Sequence, residues 1–134
     1  MSDSVNTAKV AQRYYDAMSS GDIPTATGLF APDIKWHQPG GHRFAGLKDG
    51  PAAVGEMIGG QMELTAGTFA LEFTSGPMVN GDLAAFTVHF SGKREGAEMS
   101  MDGVDVLRVE GDTIAEMWLF SADQDAEDAF WGQA

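Results

Sequence analysis

Asp105 is an acidic residue on a predicted apolar strand face. The strand predicted from Met99 to Val109 alternates its side chains between two faces, and Asp105 shares its face with Met101, Gly103 and Leu107. An ionised carboxylate buried among such neighbours without a partner costs several kcal/mol. We therefore expect Asp105 to be protonated, hydrogen-bonded or turned toward a wet cavity. A hydrogen-bond donor in such a cavity can stabilise negative charge on a substrate oxygen.

A second group of candidates lies on the short strand predicted from Asp33 to Gln38, which Pro39 and two glycines end. Trp36 and Gln38 share one face, where we expect Trp36 to form a cavity wall and Gln38 to hydrogen-bond a ligand. His37 is the nearest titratable side chain and a candidate catalytic residue. Strict alternation places His37 on the opposite face, unless a bulge reverses that order.

The three histidines give little indication of a metal site. They are scattered along the chain without the clustered carboxylates of a typical ligand set, and the chain has no cysteine for a thiolate site, a disulfide or a nucleophile. We therefore predict neither a metal nor a cofactor. The histidines are His37, His42 and His89.

The apolar pattern changes from helical to strand-like in the middle of the chain. Before about Gly67 the apolar residues recur every three or four positions, and after it they alternate with small or polar residues. Asp22 is a candidate N-cap, with Pro24 in the first turn of its helix, so the first two predicted helices form a hairpin. The predicted elements are helices 7–20, 23–30 and 51–58, strands 33–38, 69–73, 84–91, 99–109 and 113–120, and a closing helix 123–131.

This order of elements predicts a single α+β domain, residues 1–134, with the helices on one face of the sheet. A curved sheet packed on helices leaves a hollow between the two layers. The alternation along the strands predicts the apolar residues that line this hollow and contact a ligand. They are Phe86, Val88, Leu107, Met117 and Leu119.

The composition excludes several classes of function. The 134 residues hold 20 acidic and 8 basic side chains, a formal net charge of −12, so the clustered lysines and arginines that bind nucleic acid are missing. No apolar run approaches the roughly 18 residues of a membrane span, and residues 1–7 lack the pattern of a signal peptide. We therefore expect a soluble cytoplasmic protein that binds neither nucleic acid nor a membrane.

Several local strings extend over nearly the whole chain. They are Arg13-Tyr14-Tyr15 followed by Gly21-Asp22, Leu29 to Asp33, Trp36 to Gly40, Thr65 to Phe69, Gly111 to Trp118 and Asp123 to Trp131. Together with the order of elements, these strings resemble the SnoaL-like polyketide cyclases and ketosteroid isomerases of the nuclear transport factor 2-like superfamily. The resemblance implies a cone-shaped hydrophobic cavity between a curved, mixed sheet and the N-terminal helices, and a homodimer built on the outer sheet face. Isomerases, cyclases, epoxide hydrolases, dehydratases and inactive members share this fold, so the fold alone does not name the activity.

The resemblance to ketosteroid isomerase implies roles for particular positions. Tyr14 stands where that family has its oxyanion-hole tyrosine, and Asp105 stands where it has a protonated aspartate that donates the second hydrogen bond. Ketosteroid isomerase is a known case of an acid kept neutral by an apolar site. Gln38 stands where the family has its general-base aspartate, and an amide cannot take up a proton at neutral pH. Leu119 stands where the cyclases and epoxide hydrolases have an aspartate.

We expect the chain to bind a small, mostly apolar molecule whose carbonyl or enol-like oxygen accepts hydrogen bonds from Tyr14 and Asp105. If the protein is an enzyme, the reaction is an isomerisation or cyclisation through an enolate without a cofactor. The proton would move by way of His37, by water held on Gln38, or by the substrate itself. The alternative is a non-catalytic ligand-binding or dimeric accessory protein that has lost the general base, which Gln38 and Leu119 favour.

Overall fold

The structure is a computed structural model that describes residues 2–133, and in this part of the chain four helices and seven strands follow one another. The elements are α1 (Ser2–Ser20), α2 (Ile23–Gly28), β1 (Phe30–Gln38), β2 (Gly46–Asp49), α3 (Pro51–Leu64), β3 (Ala70–Phe73), β4 (Met78–Asn80), β5 (Leu83–Arg94), β6 (Ala97–Glu110), β7 (Thr113–Ser121) and α4 (Gln124–Trp131).

Helices α1 and α2 form the predicted hairpin, and the Asp22 side chain caps α2 by accepting a hydrogen bond from the Thr25 N–H. The prediction that α2 continues through Phe30 is wrong. The Ile114 N–H of β7 donates to the Leu29 carbonyl at 2.7 Å, and Phe30 already pairs with Ile114 in the sheet. Sheet pairing therefore ends the helix and starts β1 earlier than the sequence pattern indicates.

The strands form one mixed sheet in the order β2-β1-β7-β6-β5-β3, with β4 paired to the remaining part of the β5 edge. Strand β1 is parallel to β7, and the other pairs are antiparallel. Strands β2 and β4 were not predicted, because they have four and three residues, are largely exposed and show no apolar alternation. The sheet is curved and unclosed, and its helices pack on one face, so the predicted fold class is confirmed.

The register of β1 determines which of its side chains face the helices. The irregularity in its pairing with β7 lies between Phe30 and Lys35, and the pairs Trp36 with Met117 and His37 with Trp118 are regular. Alternation then turns Trp36 and Gln38 toward the helices, where both are buried, and leaves His37 on the outer face. The bulge that could have reversed this order lies too early in the strand to do so.

The helices cover the inner face of the sheet from different directions. Helix α1 lies against β5 and β6, helix α3 against β1 and β2, and helix α4 against β6 and β7. Facing residues of β5, β6 and β7 stand in one row, since Asp105 pairs with Phe86 on one side and with Leu119 on the other. The three helices and this row enclose the space in which the candidate site lies.

We expect Gly103→Ala to lower the free energy of unfolding by roughly 1–3 kcal/mol. A Cβ at this position would stand 2.5 Å from the Phe120 carbonyl oxygen and 3.0 Å from the Phe90 ring. The carbonyl belongs to the neighbouring strand and cannot move away without disturbing the ladder. The matched control is Gly55→Ala in α3, where a Cβ meets no atom within 4 Å and alanine should stabilise the helix by about 0.5–1 kcal/mol. Urea unfolding of both variants measures the difference, and a Gly103→Ala variant as stable as the wild type would contradict the packing.

Candidate functional site

A cavity of about 370 Å³ lies between helices α1 to α3 and the inner face of the sheet, with one residue of α4 at its edge. Its volume falls within the range of about 300–1,000 Å³ that is typical of small-molecule sites. Most of its wall is apolar. Five of the residues predicted from the sequence to form a site meet in this wall, namely Tyr14, Trp36, Gln38, Asp105 and Leu119.

Tyr14 reaches the cavity from the buried stripe of α1. Its ring packs between those of Phe30, Phe73 and Phe86, with centroid distances of 6.0–6.2 Å, so its position is held by aromatic contacts on three sides. Only 3% of the residue is exposed. Among the hydrogen bonds of the described residues, none involves the Tyr14 hydroxyl, and the side chain lines the cavity.

Asp105 enters the cavity from β6 and is 4% exposed. Its strand neighbours are Phe86 and Leu119, and within residues 2–133 its carboxyl group takes part in no hydrogen bond or ion pair. A buried polar group without a protein partner is rare and calls for a ligand, a water or a proton. Asp105 is therefore placed on the apolar face that the strand alternation predicts.

Burial changes the protonation of both groups. Desolvation raises the pKa of Asp105 from 3.8 to about 7, so that near neutral pH the carboxyl exists both as a neutral donor and as a carboxylate. Desolvation also raises the pKa of Tyr14 above its usual value, and the nearby negative charge of Asp105 raises it further. Tyr14 consequently remains a protonated donor across the physiological range.

Gln38 is oriented by a neighbour on its own strand. The Trp36 Nε1–H donates a hydrogen bond to Gln38 Oε1 at 3.0 Å, and both side chains are buried. Because an indole N–H only donates, the amide oxygen must face Trp36 and the amide NH₂ group is left for other partners. Gln38 therefore offers its NH₂ donors to the cavity, while Trp36 already occupies one of the two lone pairs of its oxygen.

Gln38 and Asp105 lie in the same cross-strand row. Asp105 pairs with Leu119. The last pair of β1 with β7 is His37 with Trp118, and extending this register by one residue sets Gln38 next to Leu119. Neighbouring strands are about 4.8 Å apart, so the backbones of Gln38 and Asp105 are separated by roughly 10 Å. One ligand lying over Leu119 could contact both side chains.

Gln61 is a cavity residue that the sequence reasoning missed. It lies on α3, is 3% exposed and lines the cavity, and within the described part of the chain its side-chain amide has no hydrogen-bond partner. Val54, Met57 and Gln61 form the buried stripe of α3. The sequence did contain a signal for this residue, because Gln61 is a polar side chain one helical turn after Met57 on an otherwise apolar stripe.

Glu127 is a buried acid at the cavity edge, although its stretch of sequence is typical of a solvated acidic face. Its carboxylate accepts hydrogen bonds from Ser121 Oγ at 2.6 Å, Gln124 Nε2 at 3.0 Å and Trp131 Nε1 at 3.2 Å. These donors compensate the burial of the charge. The carboxylate thus ties α4 to β7 and has little acceptor capacity left for a ligand.

His37 does not reach the cavity. Its Nε2 lies 2.7 Å from Glu116 Oε2 on the outer sheet face, and its ring stacks on Trp118 with a centroid distance of 5.6 Å. The expectation that His37 takes part in catalysis inside the cavity therefore disagrees with the geometry. The regular register of β1 after Lys35 is the reason.

Four of the apolar residues expected in the cavity wall belong to the core instead. They are at most 1% exposed and lie beneath the wall, because helix α1 and other side chains cover them. Phe86, for example, is covered by the rings of Tyr14, Tyr15 and Phe73. Alternation identified the correct face of the sheet but not where the helices leave a gap. The four residues are Phe86, Val88, Leu107 and Met117.

The remaining histidines also lie outside the cavity wall. His42 is buried against Phe44 and Trp131, and desolvation lowers its pKa. His89 lies on the outer face, with Nδ1 2.8 Å from Asp102 and Nε2 2.9 Å from Ser100. This order of groups is that of a hydrolase triad, but the Asp102 side chain is 80% exposed, whereas the aspartate of such a triad is buried.

Two further observations apply to residues 2–133. No three side chains of histidine, aspartate or glutamate come together as a group that could hold a metal ion. No helix in this range has the length and apolar character needed to cross a membrane.

Proteins of similar sequence and structure have been described. A protein of unknown function with a cystatin-like fold from Xanthomonas campestris is 46% identical, with a TM-score of 0.85, over 94% of this chain and 98% of that one. An uncharacterized protein of Mycobacterium tuberculosis is 27% identical over 123 residues, which cover 91% of this chain and 93% of that protein.

More distant solved structures share the fold. A candidate SnoaL-like polyketide cyclase from Mesorhizobium loti is 24% identical, with a TM-score of 0.70, over 84% of this chain and 97% of that one. A candidate ketosteroid isomerase from Kribbella flavida is 19% identical, with a TM-score of 0.64, over 90% of this chain and 81% of that one. The SnoaL-like domain itself matches residues 11–117. This match shows that the chain belongs to the SnoaL-like domain family.

Proposed function

We propose that the chain binds a small, mostly apolar molecule by its carbonyl or enol-like oxygen and promotes isomerisation or cyclisation of that molecule through the enolate. The observation that carries the proposal is that two buried groups without protein partners, Tyr14 and Asp105, line one apolar cavity. Both residues are buried, and their polar side chains face the cavity rather than a protein partner. A ligand oxygen between them would supply an acceptor for both donors.

In the proposed mechanism Tyr14 and neutral Asp105 both donate hydrogen bonds to the substrate oxygen. As a proton leaves the carbon next to the carbonyl group, negative charge moves onto this oxygen and both hydrogen bonds strengthen. The apolar wall, including Trp36 and Leu119, holds the body of the substrate and excludes bulk water. The same wall increases the strength of the two donors, because it lowers the local dielectric constant.

The proton that leaves carbon needs an acceptor. Among the described wall residues the Gln38 amide is not basic at neutral pH, Leu119 is apolar, and Glu127 already accepts hydrogen bonds from three side chains. We propose that a water held by the Gln38 amide, or a basic group of the substrate, takes the proton.

A second candidate function is non-catalytic binding of the same kind of ligand. The specific observation in its favour is the Gln38 amide, whose oxygen is engaged by Trp36 at the position where ketosteroid isomerases have their base. Both candidates need the Tyr14–Asp105 pair, and they differ in whether carbon is deprotonated. The homodimer and the cytoplasmic location stay predictions from the sequence.

We expect 1-naphthol to bind the wild type and to bind Tyr14→Phe and Asp105→Leu about tenfold more weakly each, since each variant loses one hydrogen bond to the phenolic oxygen. Fluorescence titration at pH 6, where Asp105 is mainly protonated, measures the dissociation constants. Tyr15→Phe is the matched control, because Tyr15 also packs on Phe73 and Phe86 but does not line the cavity. If the two cavity variants bind 1-naphthol as tightly as the control does, the donor pair has no role in binding.

Restoring a base should separate the two candidate functions. We expect Gln38→Asp to accelerate the conjugation of a β,γ-unsaturated cyclic ketone by at least about a hundredfold over Gln38→Asn, because only the carboxylate can move the proton from the α-carbon to the γ-carbon. Absorbance of the conjugated product measures the rate. The asparagine variant keeps the amide and controls for the shorter side chain. Equal rates for the two variants would leave non-catalytic binding as the better proposal.

Asp105 should make the protein less stable as the pH rises. Between pH 3.8 and about 7 the folded protein keeps the Asp105 proton while the unfolded chain releases it, so the free energy of unfolding falls across this window. The total loss is on the order of 4 kcal/mol, and the loss is complete above pH 7. Asp105→Asn should lack this pH-dependent loss. The free energy of unfolding of the variant should therefore increase relative to that of the wild type from pH 4.5 to pH 8. Urea unfolding at several pH values measures it, and parallel curves for the two proteins would refute a raised pKa.

A further inference from the structure

We propose that Gln61 forms a second polar subsite of the cavity and that the ligand is an uncharged molecule with oxygen functions at both ends of an apolar body. The inference rests on the proposed function for the first of these oxygens, which the Tyr14–Asp105 pair binds. The second oxygen is inferred from the side-chain amide of Gln61. It is buried, lines the cavity and is without a hydrogen-bond partner in the described part of the chain.

Gln61 and Asp105 belong to different ends of the cavity. Thr65, one turn after Gln61, lies beside Gly92 on β5, and its methyl group would be 3.4 Å from a Cβ at Gly92. Asp105 pairs with Phe86, six residues earlier on the same strand. At about 3.4 Å per strand residue and 5.4 Å per helical turn, the backbones of Gln61 and Asp105 are roughly 10 Å or more apart.

The wall between these two ends is apolar. Phe69, Leu71 and Phe90 line the cavity from β5 and from β3 and the loop before it. Because this apolar wall lies between the two polar groups, we infer that a ligand that satisfies both carries two oxygens joined by an apolar body.

The charges of the wall favour an uncharged ligand. Its acidic residues are Asp105 and Glu127, and no lysine, arginine or histidine is found among the described residues that line it. A ligand carboxylate would meet these acids without a cation to balance it. An amide both donates and accepts, so a hydroxyl or a carbonyl group suits Gln61 equally well.

Two probes with the same frame test the subsite. 4-Phenylphenol has one hydroxyl group, and 4,4′-dihydroxybiphenyl has a hydroxyl at each end. We expect the wild type at pH 6 to bind 4,4′-dihydroxybiphenyl five- to tenfold more tightly than 4-phenylphenol, since the second hydroxyl gains a hydrogen bond from a buried amide. In Gln61→Leu this advantage should disappear while the affinity for 4-phenylphenol is kept. Gln12→Leu, which changes an exposed glutamine on α1, is the matched control and should keep the advantage.

The outcomes separate this inference from the proposed function. Equal binding of both probes by the wild type, or an advantage that survives in Gln61→Leu, would overturn the second subsite even if Tyr14→Phe still weakens 4-phenylphenol. If Tyr14→Phe instead bound 4-phenylphenol as tightly as the wild type does, the proposed function would be overturned. At pH 8 we expect 4′-hydroxybiphenyl-4-carboxylate to bind more weakly than 4-phenylphenol, and tighter binding would contradict the uncharged ligand.

The stability of the unliganded protein gives an independent readout. If Gln61 serves a ligand, Gln61→Leu should unfold at the same urea concentration as the wild type or at a higher one, because leucine fills a similar volume without an unpaired amide. A clearly lower urea midpoint would assign Gln61 to the fold and count against the subsite.

Discussion

The site depends on one electrostatic constraint, the burial of the Asp105 carboxyl group in an apolar cavity without a protein partner. Removal from water raises its pKa to about 7, which turns an acid that would be charged on the surface into a group that can donate a hydrogen bond near neutral pH. Burial raises the pKa of Tyr14 above its ordinary value, and the nearby charge of Asp105 raises it further. The fold tolerates the free-energy cost of burying this carboxyl group because both side chains are held in place. The cross-strand neighbours Phe86 and Leu119 hold Asp105, and the surrounding aromatic rings hold Tyr14.

The hydrogen bonds of the other polar cavity residues show which of their atoms the protein already uses and which remain free to face the cavity. Trp36 takes the oxygen of Gln38 and leaves its NH₂ group free, whereas Ser121, Gln124 and Trp131 occupy the carboxylate of Glu127. The free NH₂ group of Gln38 adds to the donors that Tyr14 and neutral Asp105 present to the cavity. Several donors around one space are typical of a site that receives a carbonyl oxygen or an enolate.

Family membership limits the interpretation of this chemistry to a fold and a cavity. The proteins that share 46% and 27% identity are described as of unknown function or as uncharacterized, and the cyclase and isomerase structures are less than 25% identical. Activity in such a fold is decided by a few wall residues. The cavity wall of this chain includes Gln38 and Gln61, two amides that differ in whether a protein side chain already hydrogen-bonds their oxygen.

The sequence by itself determined the fold class, the α1–α2 hairpin, the strand faces and the anomaly of Asp105, because apolar periodicity and strand alternation are local properties. Only the tertiary structure decided which inward residues line the cavity. Phe86 and Leu119 face the same side of the sheet, yet the rings of Tyr14 and Tyr15 cover the first while the gap between the helices opens over the second. The partners of Glu127 and the burial of Gln61 likewise depend on how helices α3 and α4 are placed on the sheet, and helix placement follows from side-chain packing over long sequence distances.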